Sequence, residues 1–217
     1  MDRNRPKTPN SLVAELASEL KPVQSMKVVH GIALVAIAAI VSLALVEMIY
    51  GLWRGMIDSR VSPFFFITNG MLAIVGAAAA VASVQMAKPQ VGNSHEGARW
   101  SFAMIFLLPI TGLIVAFTQG SAAAVMSDPY GIQCFIKGTA FSMITAAALT
   151  LWLRKGAPVS TNAAGLFAGV ASGAVGSFVY GLSCPIDHAG HLGIWHFAPV
   201  LVGAVAGRII IPRLIRW

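Results

Sequence analysis

Long apolar runs separated by short polar breaks dominate the chain, and their length sets the class of fold. A helix needs roughly 20 mostly apolar residues to cross about 30 Å of hydrocarbon. Six stretches fit that description: Val28–Trp53, Phe64–Ala87, Trp100–Thr118, Gln133–Leu153, Ala163–Leu182 and Leu192–Ile211. They predict an all-α polytopic membrane protein with six transmembrane helices. The chain then divides into an N-terminal segment, 1–27, a transmembrane domain, 28–211, and a short C-terminal tail, 212–217.

Polar and small positions refine this picture. In the N-terminal segment Leu12, Val13, Leu16 and Leu20 fall on one helical face and Glu15 and Glu19 on another, the spacing of a short amphipathic helix. Thr8–Pro9 suits its start and Pro22 its end. One short helix cannot bury that stripe alone, so it lies on the membrane, docks on the protein's own loops or enters a partner's groove. Gly165, Gly169 and Gly173 share one face of the fifth span, and a Gly/Ala run covers 76–80 in the second. In lipid such small-residue faces allow close backbone approach. Pro109 is expected to kink the third span.

Composition agrees: 57% of residues are apolar and only 11% charged, outside the range of soluble domains. The formal charge of +7 is explained by topology. Arg3, Arg5, Lys7, Lys21, Lys27, Lys88, Arg99, Arg154, Lys155, Arg208, Arg213 and Arg216 fall on one side, against Arg54, Arg60 and Lys137 on the other. Basic residues are retained in the cytoplasm, so both termini are expected there. A direct nucleic-acid role would need those charges massed on a soluble face, and is not expected. Residues 1–27 lack a basic patch followed by an apolar core, so the first span is expected to be a retained targeting signal.

Against this apolar background the polar exceptions stand out. Glu47 lies near the outer end of the first span and Lys137 enters the fourth from the same side. Buried ionisable groups need partners, so the two are expected to meet, the alternative for Lys137 being to snorkel to the interface. Cys134 opens the fourth span and Cys184 follows the fifth, which places both thiols at one leaflet boundary. They can serve as a staple, as inert buried thiols, or as chemistry. Asp187, His188, His191 and His196 accompany Cys184, and thiol and imidazole donors suit zinc, cadmium or copper. No cofactor is otherwise called for, and the metal is expected to bind transiently. C-x-x-C, a P-loop and a nucleophile elbow are all missing from the sequence, which argues against an enzyme.

Three segments carry a family resemblance: AGLFAGVASGAVGSFVYGLSCP followed by Trp195, the closing GAVAGRIIIPRLIRW, and LVAELASELKPV near the N-terminus. Together they resemble the NrsF family, membrane-bound anti-sigma factors of Gram-negative bacteria. The resemblance implies six spans, a cytoplasmic N-terminus, and capture of an extracytoplasmic-function sigma factor at the inner membrane until oxidant or heavy-metal stress releases it. It implies that Cys134 and Cys184 sense the signal. It also makes Leu12, Val13, Leu16, Leu20, Pro22 and Val23 candidates for the sigma contact, with the Lys88–Arg99 loop and Arg154–Lys155 completing the grip. Homo-oligomerisation is left open, and a thiol-based membrane redox protein or a small transporter are the competing classes.

Overall fold

The computed structural model describes residues 9–19, 26–58, 60–89, 106–118 and 127–215, together with 100, 103, 123 and 125. Among them there are helices and no strands: α1 Pro9–Glu19, α2 Val28–Tyr50, α3 Arg54–Ile57, α4 Pro63–Met86, α5 Leu107–Thr118, α6 Gly131–Arg154, α7 Thr161–Gly181, α8 Ala189–Trp195 and α9 Ala198–Leu214. Five stretches are long and apolar enough to cross a membrane: α2, α4, α6, α7 and the α8–α9 pair. The α5 helix has 12 residues and so spans only about 18 Å. The third apolar stretch is thus described as a helix over only part of its expected length. Pro109 stands in the first turn of α5, where no intrahelical donor is required; it starts the helix instead of bending it.

The fifth apolar segment, α7, is the axle. Almost every residue from Ala164 to Gly181 is buried, and α4, α6 and α9 all pack on it. Its glycine ladder faces α9. A methyl group at Gly169 would run into the Gly203 carbonyl, one at Gly165 into the Gly207 carbonyl and one at Gly173 into the Pro199 carbonyl. The relation is reciprocal, since methyls at Gly203 and Gly207 would meet the carbonyls of Gly169 and Gly165. Gly176 turns to the other side and receives α6 at Gly138 and Ser142. Van der Waals packing of backbone on backbone replaces the hydrophobic drive that lipid cannot supply.

The last apolar stretch is split. Helix α8 stops at Trp195 and α9 begins at Ala198, with His196 and Phe197 in a turn. Pro199 has no N–H for the Trp195 carbonyl, so an unbroken helix would lose that bond. At the far end α9 runs through buried Pro212 to Leu214, so the helix extends past the expected boundary at Ile211.

Chain alternation brings Tyr50, Pro63, Thr118, Gly131, Gly181 and Ala189 to one end of the bundle and Val28, Met86, Arg154, Thr161 and Leu214 to the other, while the start of α5 lies against Gly193 of α8. At the second end the Trp152 indole N–H donates to the Val84 carbonyl at 3.1 Å and Ala157 N–H to the Ala87 carbonyl at 2.8 Å. In the first, Trp53 N–H donates to the Leu182 carbonyl at 3.0 Å and Ser183 Oγ–H to the Gly51 carbonyl at 2.5 Å.

Helix α1 leaves Val13 and Leu16 exposed. Leu20, Pro22 and Val23 lie outside the described residues, as does the side chain of Leu12.

The glycine ladder makes a direct prediction. Gly169→Leu should lower resistance to SDS unfolding by about 1–3 kcal/mol or more, the usual cost of overpacking. Gly70→Leu should have little effect, because nothing lies within 4 Å of a side chain at that exposed position. Equal losses in the two variants would show that the α7–α9 approach is not what holds the bundle.

Candidate functional site

Close packing of α6, α7 and α9 converges on one chemical cluster at the first end of the bundle. Cys134 sits in the first turn of α6, Cys184 three residues beyond α7, His191 on α8 and His196 in the turn before α9. All four are buried, and their donor atoms lie within 4.8 Å of one another. The two sulfurs are 3.7 Å apart and unbridged. Cys184 Sγ lies 3.5 Å from His191 Nε2.

Local sequence explains the placement. Pro185 follows Cys184 and cannot extend α7. His188 caps the short α8, its Nδ1 accepting from His191 N–H at 3.2 Å. That cap turns the His191 ring inward, where it is fully buried. The turn at Pro199 then brings His196 back to the same place, and its carbonyl accepts from Ser177 Oγ–H of α7 at 2.5 Å.

Asp128 completes the geometry. Its Oδ1 accepts from Tyr130 N–H at 2.9 Å, bending the chain into α6. Its Oδ2 accepts from His191 Nδ1–H at 2.6 Å. One carboxylate therefore both starts the helix that carries Cys134 and orients an imidazole. Burial alone would raise the pKa of Asp128, but the bonds from His191 and Tyr130 and the charge on His191 outweigh it and hold the group below its ordinary value. Burial, and then the neighbouring His191, lower His188. The contact with Cys134 and burial push the Cys184 thiol upward.

Aromatic rings wall the cluster. Tyr180 stacks on His196 at 6.4 Å and on Phe141 at 6.5 Å, and meets Tyr50 edge-on at 5.6 Å. The Lys137 ammonium lies over the Tyr50 ring at 4.7 Å and over Tyr180 at 5.6 Å, a cation–π arrangement. Among the described residues no ion pair joins Lys137 to Glu47, which is exposed on α2. The half-buried ammonium instead faces rings that offer it their negative faces.

Of the candidates read from sequence, the structure gathers Cys134, Cys184, His191 and His196. Asp187 and His188 stand apart from them. Asp187 accepts from the N–H and Oγ–H of Ser62, the latter at 2.6 Å, and so ties the start of α4 to the loop after α7. His188 spends its Nδ1 on the cap. Sequence reasoning missed Asp128, whose one available signal was its place just before α6, on the same side as both thiols.

These features define a helical membrane protein with a buried thiol–imidazole centre where α6, the exit of α7, α8 and the start of α9 meet. The family model described as "NrsF: Negative regulator of sigma F" matches residues 16–217. The chain belongs to the NrsF family of negative regulators of a sigma factor. The "Probable anti-sigma-F factor NrsF" of Azospira oryzae is 26% identical over 189 residues, covering 83% of each chain. No solved structure matches.

The sign of the Asp128 shift yields a pH prediction. A carboxyl whose folded pKa is depressed contributes stability above its unfolded value, roughly 3.9, and loses it as pH falls through the lower folded value. Resistance to detergent unfolding should therefore drop below about pH 4, and Asp128→Asn should flatten that acid limb. An unchanged limb in the variant would assign the loss to other carboxylates.

Proposed function

We propose that this protein holds an extracytoplasmic-function sigma factor at the bacterial inner membrane and releases it when Cys134 and Cys184 meet oxidant or heavy metal. The observation that carries this reading is membership of the NrsF family over residues 16–217. The exposed Val13 and Leu16 of α1 support a role in sigma capture for the segment that also holds Leu12, Leu20, Pro22 and Val23. In this reading the protein is a regulator without catalytic turnover. Its six spans comprise the five long helices and the stretch ending in α5, with both termini cytoplasmic. Lys27, Lys88, Arg154 and Lys155 at the end opposite the thiols support that orientation.

The sensing step follows from the sulfur separation. At 3.7 Å the thiols need to close to about 2.05 Å for a disulfide. Each sulfur then loses a proton and the pair gives two electrons to the oxidant as the S–S bond forms. The movement draws the start of α6 toward the end of α7. Because α7 is locked to α9 by glycine contacts, the shift is transmitted as a rigid-body change and not absorbed by soft side chains. Moving a switch from 1:99 to 99:1 takes about 5.5 kcal/mol of preference between states, which one disulfide or metal site approaches.

A tagged chain in mild detergent should retain a sigma factor from an extract, and deleting residues 1–24 should reduce capture at least tenfold. Adding a disulfide-forming oxidant should release the sigma factor from the intact chain and not from Cys134→Ser. Undiminished capture by the truncated chain would remove α1 from the contact, and equal release from the serine variant would remove the thiols from the signal.

A further inference from the structure

We propose that Cys134, Cys184, His191 and His196 form a closed, four-coordinate site for a thiophilic divalent d10 cation, Zn(II) or Cd(II), with Asp128 orienting His191. The site rests on geometry alone, and its regulatory meaning rests on the function proposed above. Two metal–sulfur bonds of about 2.3 Å at the tetrahedral angle place their sulfurs about 3.8 Å apart, and a sulfur and an imidazole nitrogen about 3.6 Å apart. The observed separations are 3.7 Å between the sulfurs and 3.5 Å from Cys184 Sγ to His191 Nε2.

Three further observations point to a cation. His196 Nε2 is buried and has no hydrogen-bond partner among the described residues, a costly arrangement for a polar atom unless something else satisfies it. His191 donates Nδ1–H to Asp128, which leaves the lone pair of Nε2 aimed at the sulfurs. This is the carboxylate–histidine pairing that fixes tautomer and ring orientation around metals. Charge also nearly balances: two thiolates, two neutral imidazoles and one divalent ion sum to zero, which leaves the single negative charge of Asp128 at the partly exposed edge of the centre. The two thiol protons leave to water as the ion enters.

All four donors come from protein, and all are buried. No position is left open for substrate water, so the site is a cross-link and not a Lewis-acid catalyst. It joins the start of α6, the exit of α7, α8 and the start of α9 at one point. Ligation and disulfide formation exclude each other, since both require the same two sulfurs.

The test uses the reduced, full-length chain in detergent micelles with Co(II) as the probe. We expect one Co(II) per chain, with intense tetrahedral ligand-field bands and a thiolate-to-cobalt charge-transfer band. His196→Ala should abolish the tetrahedral bands, and Asp128→Asn should weaken binding by about 10- to 100-fold. His188→Asn, which keeps a capping acceptor, and His30→Ala should leave the spectrum unchanged. X-ray absorption of the Zn(II)-loaded wild-type chain should report two sulfur and two nitrogen neighbours, and this decides the matter without any variant. Absence of the charge-transfer band in chains titrating for two free thiols, or a zinc shell of nitrogen and oxygen only, would overturn the site. Sigma capture measured on the same preparations separates the two readings. Capture without metal binding removes the site alone, and metal binding without capture removes the anti-sigma role alone.

Discussion

Backbone laid directly on backbone, glycine against carbonyl, is the contact on which the molecule depends. Along α7 and α9 there is no room for even a methyl group at Gly165, Gly169, Gly203 or Gly207. Lipid offers helices no hydrophobic reason to associate, so dispersion over this dry seam must do so, and dispersion falls off steeply with any added gap. The seam also fixes where the chemistry lies. Gly173 against Pro199 sets the register between α7 and α9, and that register brings the exit of α7, with Cys184, beside the turn that holds His196.

A second consequence concerns how polar groups survive at this depth. The charged and aromatic ones find specific neighbours: Asp128 takes Tyr130 N–H and His191, Asp187 takes Ser62, Lys137 takes two aromatic faces, and the Trp152 indole takes a carbonyl of α4. The arrangement is a set of separate pairings. Among the described residues Asn69 Oδ1, the hydroxyls of Ser83, Thr139 and Thr145, and His196 Nε2 have no such neighbour; of these, His196 Nε2 belongs to the ring that the proposed cation would engage.

Much of this was legible from residues. Apolar run lengths identify α2, α4, α6 and α7, and the four-residue glycine spacing marks the packing face of α7. The two thiols fall at one end simply because the spans alternate. Other features depend on contacts between distant parts of the chain. Asp128 and His191 are 63 residues apart, and no local pattern distinguishes that aspartate from an ordinary turn former. Asp187, three residues from Cys184, looks closer to the thiols in sequence than Asp128 does, yet it bonds Ser62 across 125 residues. Proximity along the chain was the wrong guide because Asp187 is held by Ser62 at the start of α4, while His191 reaches Asp128 from inside α8. Lys137 pairs with Glu47 by charge in the sequence, whereas its contacts with the Tyr50 and Tyr180 rings depend on packing that the sequence does not display.

Among the described residues, several links lace the thiol end of the bundle. Around the thiols, Trp53 to Leu182, Ser183 to Gly51, Ser62 to Asp187 and Asp128 to His191 each lace one hairpin to another. In the proposed switch this laced end would serve as the fulcrum, with α6 as a long arm leading away from it. An arm of 24 residues is about 36 Å long, so a pivot of about 5° at the laced end sweeps its far tip through about 3 Å. In the proposed switch, a small displacement beside Cys134 would then become one as wide as a side chain at Arg154, drawing on the Trp152 bond to α4 as it moved.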